Sequence, residues 1–424
     1  MKFGIFYELQ TPEPWREGAE QRVFREALEQ AELADRLGIE YFWEVEHHFL
    51  EEYSHSSAPE VFLAAVSQRT KRMRIGHGIV ALPHAYNPPA RVAERIATLD
   101  LVSDGRLEFG TGETSSDMEL DGFRIPRAEK RTMWEESLQA ITRMFVEVPF
   151  AGHSGQYLNM PARNVVPKPA QKPHPPLWVA CSRRDTILTA ARKGIGALTF
   201  AFVSPQEAER WVTDYYRTLA EECVPVGFSV NPHIATVAGF MCDRDGDRAR
   251  QKGTDGALFF AYSLAHYYYL SHHQHRPGQT NVYELFEKEK HLMGLDPESV
   301  DRAGFSAGSN VVDPGGLASL TAAIGSPDEL RTKLREYETA GVDQMILIAQ
   351  AGKNRHEDIC ESLELFAREV MPEFQDRDAQ RQQEKTRRLE PIMERLNPLL
   401  ATKLEEARAR AANVTDTIAA TGSL

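Results

Sequence analysis

Hydrophobic positions along this chain change period repeatedly. Short apolar runs, read as strands, alternate with longer segments in which apolar residues recur every three or four positions, read as helices. The first run, Lys2 to Glu8, predicts a strand. After a polar loop with Pro12 and Pro14, the residues Phe24, Ala27, Leu28, Ala31, Ala34 and Leu37 fall at helical spacing, and Gly38 sits where such a helix stops. Ile39-Glu40-Tyr41-Phe42-Trp43 predicts a second strand, entering a core. The alternation continues with a helix over 57–70, a strand over 73–82 and a helix over 88–101. A strand over 106–110 and a long amphipathic helix over 128–145 follow. Beyond a Pro-rich surface excursion at 149–176 come strand 177–180, helix 185–193, strand 197–203, helix 205–222 and strand 233–242. A mostly helical insertion begins at Gly246, and the chain resumes with helix 326–340, strand 344–350 and helix 356–371.

About eight strand–helix units is the number that closes an α/β barrel of the (β/α)8, or TIM, type. An open doubly wound sheet needs a glycine-rich turn after its first strand, and Gln10-Thr11-Pro12-Glu13-Pro14 has no glycine. The expected organisation is a barrel over 1–374, interrupted by an insertion at about 246–320, and a helical C-terminal extension over 375–424. In the extension, Leu389, Ile392, Met393, Leu396, Leu399, Leu400 and Leu404 form an apolar stripe. That stripe predicts a helix packed on the barrel or on a neighbouring subunit.

Composition narrows the function. A net charge of -13 opposes nucleic acid or an anionic membrane surface as a main partner. No segment suits a bilayer span and no signal-peptide pattern opens the chain, so a cytoplasmic location is expected. Cys181, Cys223, Cys242 and Cys360 are scattered and read as reduced thiols.

The polar residues that could do chemistry stand just after predicted strands, on what would be one barrel face. Glu46 and His47 follow strand two. Gly78 and Ile79 lie in strand three, where a missing side chain lets backbone approach a planar ligand. Gly112, Glu113 and Thr114 follow strand four. Cys181-Ser182-Arg183 follows strand five and opens a helix, a setting that suits a phosphate. His47 and His48 are adjacent and would face opposite ways in a strand, so no metal is expected there. His266, His272, His273 and His275, interleaved with Tyr267, Tyr268 and Tyr269, read as a lid or a subunit contact in preference to a metal site.

These residues carry a resemblance. Met1-Lys2-Phe3-Gly4, Glu46-His47-His48-Phe49, Val80-Ala81-Leu82-Pro83, Ser103-Asp104-Gly105-Arg106, Phe109-Gly110, Gly325-Ser326-Pro327-Asp328-Glu329, Gly341-Val342-Asp343 and Leu365-Phe366-Ala367-Arg368-Glu369 together resemble the bacterial luciferase-like flavin-dependent monooxygenases, and the luciferase α chain in particular. The resemblance covers about Met1 to Phe374. It implies a TIM barrel with an insertion after strand seven. It implies reduced FMN, supplied by an NAD(P)H-dependent flavin reductase, and O2, which adds to the flavin to give a hydroperoxide that oxygenates a small organic substrate. It also implies a homodimer or a related heterodimer. His47 becomes the active-site histidine and Glu46 its neighbouring acid. A non-proline cis peptide falls on Gly78-Ile79. Phosphate binding falls around Ala180, Cys181, Ser182 and Thr186, helped by Arg183 and Arg131. Glu113 stands where luciferase has an arginine for the phosphate, so that task passes to Arg183, Arg184 or Arg131. Phe6, Tyr7, Trp43 and Phe200 are expected in the apolar wall, and His47 is expected neutral near pH 7 unless perturbed. The alternatives are an oxidoreductase of the same superfamily using the deazaflavin F420, and a non-catalytic flavin-binding barrel.

Overall fold

A computed structural model describes residues 1–268, 275–291 and 319–421. Eight parallel strands close on themselves: β1 (Lys2–Tyr7), β2 (Tyr41–Glu44), β3 (Arg74–His77), β4 (Leu107–Gly112), β5 (Leu177–Cys181), β6 (Gly196–Thr199), β7 (Ile234–Cys242) and β8 (Gln344–Gln350). β1 pairs with both β2 and β8, with Ile5 opposite Phe42 and Lys2 opposite Gln344, and the ring closes where Ala235 of β7 meets Leu198 of β6 and Gln344 of β8. The strands are almost wholly buried, which explains why they read as continuous apolar runs.

Helices fill the connections for local reasons. Pro59–Arg69, Pro89–Val102, Pro205–Glu222 and Pro327–Thr339 each begin on proline, whose missing N–H costs nothing in a first turn. Gly38, at φ 89°, ends Ala19–Leu37 by donating to the carbonyls of Ala34 and Asp35. Ser326 and Glu329 form a reciprocal capping box.

The structure corrects the expected elements in several places. The strand foreseen over 73–82 is broken: β3 stops at His77, and Val80–Ala81 pairs separately with Thr111 and Gly112. The cause is Gly110, whose missing Cβ leaves room for the His77 carbonyl; a Cβ built there would lie 1.9 Å from that oxygen. Gly78 and Ile79 therefore sit in the break and not in a strand. The strand foreseen over 197–203 ends at Thr199, which frees Phe200 and Phe202 to line a cavity. Two short pieces beside the barrel escaped the periodicity: the helix Asp117–Gly122 and the strand Ala323–Gly325 on the end of β7. They span too few residues for a hydrophobic period to register.

Downstream of the barrel, helix Asp378–Thr421 runs across the N-terminal ends of the strands. Its Leu396 is fully buried, Leu389, Ile392 and Met393 pack on the barrel core, and Leu399 remains exposed. Polar contacts fasten it from end to end. Lys385 Nζ meets Asp343 Oδ1 at 2.7 Å, Lys403 Nζ donates to the Pro225 and Val226 carbonyls at 2.7 and 2.6 Å, and Arg410 reaches Glu147 at 2.9 Å. Of the two destinations for the apolar stripe, the barrel receives Leu396 and its neighbours.

Asp343 is mostly buried, and burial opposes its charge, but Lys385 and His233 beside it and the Ile234 amide hold its carboxyl below the usual carboxylate range. Lys385→Met is expected to destabilise the protein by about 3 kcal/mol at neutral pH, because an unpaired buried charge remains. A group with a depressed folded pKa stabilises above its unfolded pKa and loses that contribution as the pH falls through the folded value. The difference between variant and wild type in urea midpoint should therefore shrink in acid.

Candidate active site

At the C-terminal ends of the strands lies a cavity open to solvent. Glu46, His47, Gly78, Ile79, Glu113, Arg131, Ala180, Cys181, Ser182, Arg183 and Thr186 all line it. Phe6 and Phe200 line it as expected, whereas Tyr7 and Trp43 do not. Tyr7 turns outward to bond Gln30 at 2.7 Å, and Trp43 packs edge-on against Trp178 in the barrel core. Adjacent strand residues face opposite sides, so Phe6 and Tyr7 could not both face inward.

His47 occupies one side. Its amide is held by the Ser56 carbonyl at 2.9 Å. Its Nδ1 lies 3.2 Å from Glu119 Oε1 and 3.3 Å from the Tyr268 hydroxyl, and its Nε2 lies 3.6 Å from Glu8 Oε2. Burial alone would discharge the ring, but Glu8 and Glu119 outweigh it and raise its pKa to about 9. The ring is expected neutral only if unperturbed, and here the two flanking acids perturb it and favour the proton on it at neutral pH. Burial pushes the Glu8 carboxyl up to about 7 despite the opposing pull of His47. Glu119 is pulled below its ordinary value in spite of burial, by His47, Thr114 and the His48 amide.

Glu46 is fully engaged. It accepts from the Ala81 amide at 3.0 Å and from Asn87 Nδ2 at 2.8 and 3.1 Å, and His48 Nε2 stands 3.4 Å away. It ties the β2 loop to the break after β3. His48 turns away from His47 and packs against Tyr86 and Phe123.

Across the cavity the polarity reverses. Ser182 and Arg183 precede the helix Arg184–Lys193, where the Arg183 amide donates to Thr186 Oγ1 at 3.3 Å and the Thr186 amide to the Arg183 carbonyl at 3.0 Å, which leaves the Arg184 and Asp185 amides without helical acceptors. Arg131 faces this end, stacked over Trp134 at 5.1 Å and bonded to Thr189 at 2.9 Å. Glu113 is not opposed to this arrangement, since Arg131 at 3.1 Å and Lys130 at 3.5 Å both pair with it. Arg184 pairs with Asp214 at 2.5 Å and does not line the cavity. Burial pushes the Cys181 thiol up to about 12, so it stays protonated and uncharged.

Between the two ends, Phe6, Phe200, Phe202, Val237 and Phe260 form an apolar wall. Gly78 lies against it, and a Cβ there would meet Phe6 at 3.3 Å and Phe200 at 3.6 Å. The cis bonds among the described residues all precede proline, at positions 14, 149, 167 and 173. Gly78–Ile79 is thus trans, the form favoured by about 3 kcal/mol outside proline, which corrects the cis peptide that the resemblance implied. Thr114 (φ 39°), which lines the cavity, and Leu9 (φ 54°) and Phe49 (φ 67°), which follow Glu8 and His48, hold left-handed backbone, each at a cost of about 1–3 kcal/mol.

Sequence reasoning missed Glu8, Tyr53, Glu119, Lys130 and Tyr268. Glu8 ends the first predicted strand, and the rule that selected Glu46 would have found it. Glu119 lies on the short helix that gave no periodic signal. Tyr268 belongs to the Tyr/His run read as a lid, and with Phe260 and Leu264 of helix Gly246–Tyr268 it does cover the cavity. In the same run His266 Nε2 lies 3.2 Å from His275 Nδ1, while Tyr269, His272 and His273 are outside the described residues.

Known proteins share this architecture. A monooxygenase from Streptomyces bottropensis, RslO1, superposes with a TM-score of 0.68 at 25% identity, covering 88% of this chain and 100% of that one. The oxygenase component of the flavin-dependent trigonelline monooxygenase of Acinetobacter baylyi is 23% identical over 89% of this chain and 96% of its own length. An uncharacterised Sinorhizobium fredii protein, y4wF, is 33% identical over 51% of this chain, and the match spans 60% of that relative's length. The coenzyme F420 dependent tetrahydromethanopterin reductase of Methanopyrus kandleri shares the fold at 21% identity and a TM-score of 0.60, covering 88% and 99% of the two chains. The family profile described as luciferase-like monooxygenase matches residues 1–344, so this closed parallel barrel belongs to the luciferase-like monooxygenase family.

Proposed function

We propose that the protein is a monooxygenase that uses reduced FMN and O2 to oxygenate a small organic substrate. One observation carries this reading: the cavity joins an apolar slot over Gly78 to a cationic end at a helix N-terminus, with a charged histidine on the other side. That shape and polarity fit a flavin ring in the slot and its phosphate among Ser182, Arg183, Thr186, Arg131 and Lys130. When bound, reduced FMN would supply two electrons to O2, so that one oxygen atom enters the substrate and the other leaves as water.

The chain's own residues do the rest. His47 holds a proton at the reaction side, and Glu8 and Glu119 keep it there. Glu46 positions the loop that carries His47. The aromatic wall and Tyr268 exclude water from the slot. A separate NAD(P)H-dependent flavin reductase is the expected partner, and the oxygenase component among the relatives supports that division of labour. No described helix is long and apolar enough to cross a membrane. The cytoplasmic location and the dimer remain part of the same reading.

Anaerobic titration with reduced FMN, followed by O2 and a broad substrate panel, tests it. Flavin binding, oxygen uptake and an oxygenated product are expected. Tight binding of F420 and hydride transfer without oxygen uptake would replace this reading with the F420-dependent one, which the shared fold favours as the alternative. Flavin binding without turnover would leave a flavin-binding barrel.

The phosphate end gives a separable prediction. Arg131→Ala should weaken FMN binding by about tenfold and leave riboflavin, which has no phosphate, unchanged. Glu113→Gln should act in the opposite direction, since it releases Arg131 and Lys130 for the ligand. Fluorescence titration with both flavins checks the pair.

A further inference from the structure

Glu8 lines the cavity with one carboxylate oxygen that, among the described residues, receives no hydrogen bond. Its Oε1 accepts the Tyr53 hydroxyl at 2.8 Å, and the Ser54 hydroxyl bonds its backbone carbonyl at 2.8 Å, so the side chain is held in place. Its Oε2 is buried and has no hydrogen-bond partner among the described residues. His47 Nε2 stands 3.6 Å from it, beyond hydrogen-bond distance. The side chain is 3% exposed, and Leu9, immediately after it, is in left-handed backbone.

The surroundings are aromatic. Tyr53 lies 5.7 Å from Phe260, Phe260 lies 6.3 Å from Phe6, and Tyr268 lies 6.5 Å from Tyr53, measured between ring centres. Beside a fixed acceptor, such walls favour a flat or cyclic body with one donor on its edge. In the ionised form, which prevails above about pH 7, this buried acceptor is left without a donor, a desolvation cost that a matching ligand removes.

We infer that Glu8 is a specificity-determining residue that binds the substrate, and that the substrate is a ring compound bearing an O–H or N–H group donated to Glu8 Oε2. This rests on the cavity being the oxygenation site, and it adds a substrate class to it. The donor bond orients the ring and adds no atom or electron to the oxygen chemistry, so the redox balance stays as written above.

Equilibrium dialysis of the full chain with reduced FMN, under anaerobic conditions, tests the inference with 2-naphthol and its methyl ether. Wild type should bind the naphthol at least about tenfold more tightly than the ether. Glu8→Leu should bring the two affinities together. Glu8→Gln keeps an uncharged acceptor and should leave a preference of a few fold, which carries the test if Glu8→Leu does not fold. Equal affinities in wild type, or a preference unchanged in the variants, would overturn the inference. Loss of flavin binding in Glu8→Gln with the naphthol preference intact would also overturn it, by assigning Oε2 to the flavin. Failure of the oxygenation reading is seen elsewhere, as absence of oxygen uptake by a wild-type protein that still prefers the naphthol.

Discussion

His47→Gln is expected to lower kcat for oxygenation by about 10²–10³-fold, the range typical of losing a positioned proton donor or acceptor. Gln can still bond Glu119 but cannot carry a proton. The flanking acids make the effect specific. Glu8 and Glu119 raise the His47 pKa to about 9, so the ring is charged at neutral pH. If the protonated ring is the working form, wild-type kcat should fall as the pH rises through about 9. The variant should lack that alkaline limb. An acidic limb should appear near pH 7 in wild type, where the Glu8 carboxyl titrates, and move upward in the variant, which loses the pull of the histidine on that carboxyl. A variant with an unaltered rate and an unaltered alkaline limb would remove His47 from the chemistry. Stopped-flow measurement of product formation across pH separates these outcomes, and the Kd for reduced FMN should change far less than kcat.

Gly110→Ala should be the most damaging single substitution for the fold, at about 3 kcal/mol or more of lost stability. The new methyl would lie 1.9 Å from the His77 carbonyl oxygen, which is backbone and cannot swing aside as a side chain can. Relief requires β3 and β4 to separate. Gly112→Ala offers a contrast. Its methyl would meet the Ile79 side chain at 2.4 Å, at the δ-carbon, which can swing aside or be shortened. Gly112→Ala should therefore cost less and be partly rescued by Ile79→Val, whereas no side-chain change should rescue Gly110→Ala. Urea midpoints of wild type and these variants check the pattern. Because the same contact breaks β3 and seats Gly78 in the cavity, any folded Gly110→Ala protein should also bind flavin poorly.

The alternation of apolar runs and helical periods made the barrel legible, because each strand is buried on both faces and each helix on one. Pro205–Glu222 and Gln344–Gln350 could be read to the residue, one flanked by a capping serine and a proline, the other a closed apolar run between polar ends. The break at Gly78 could not be read. Val80–Ala81 is too short to show a period of its own, and the contact that interrupts the strand comes from Gly110, on the next strand of the barrel. Positions on the rim were legible wherever chemistry follows a strand directly, as with Glu46, His47, Glu113 and Ser182. Glu119 and Tyr268 were not, because they reach His47 from a short helix and from the insertion. The charge on His47 is a property of that assembly: no stretch of sequence containing only Glu46 and His48 beside it would predict a ring held protonated by Glu8 and Glu119.

The long C-terminal helix has a consequence for how the chain is made. Lys385 grips the residue that precedes β8, and Arg410 reaches back 263 positions to Glu147. Contacts so distant in sequence form late, after loop-closure entropy has been overcome. During synthesis the floor of the barrel stays uncovered until this helix has left the ribosome, and the surface that Leu396 covers is bare until then. A chain released early would carry every residue of the cavity and still expose the apolar underside on which aggregation starts.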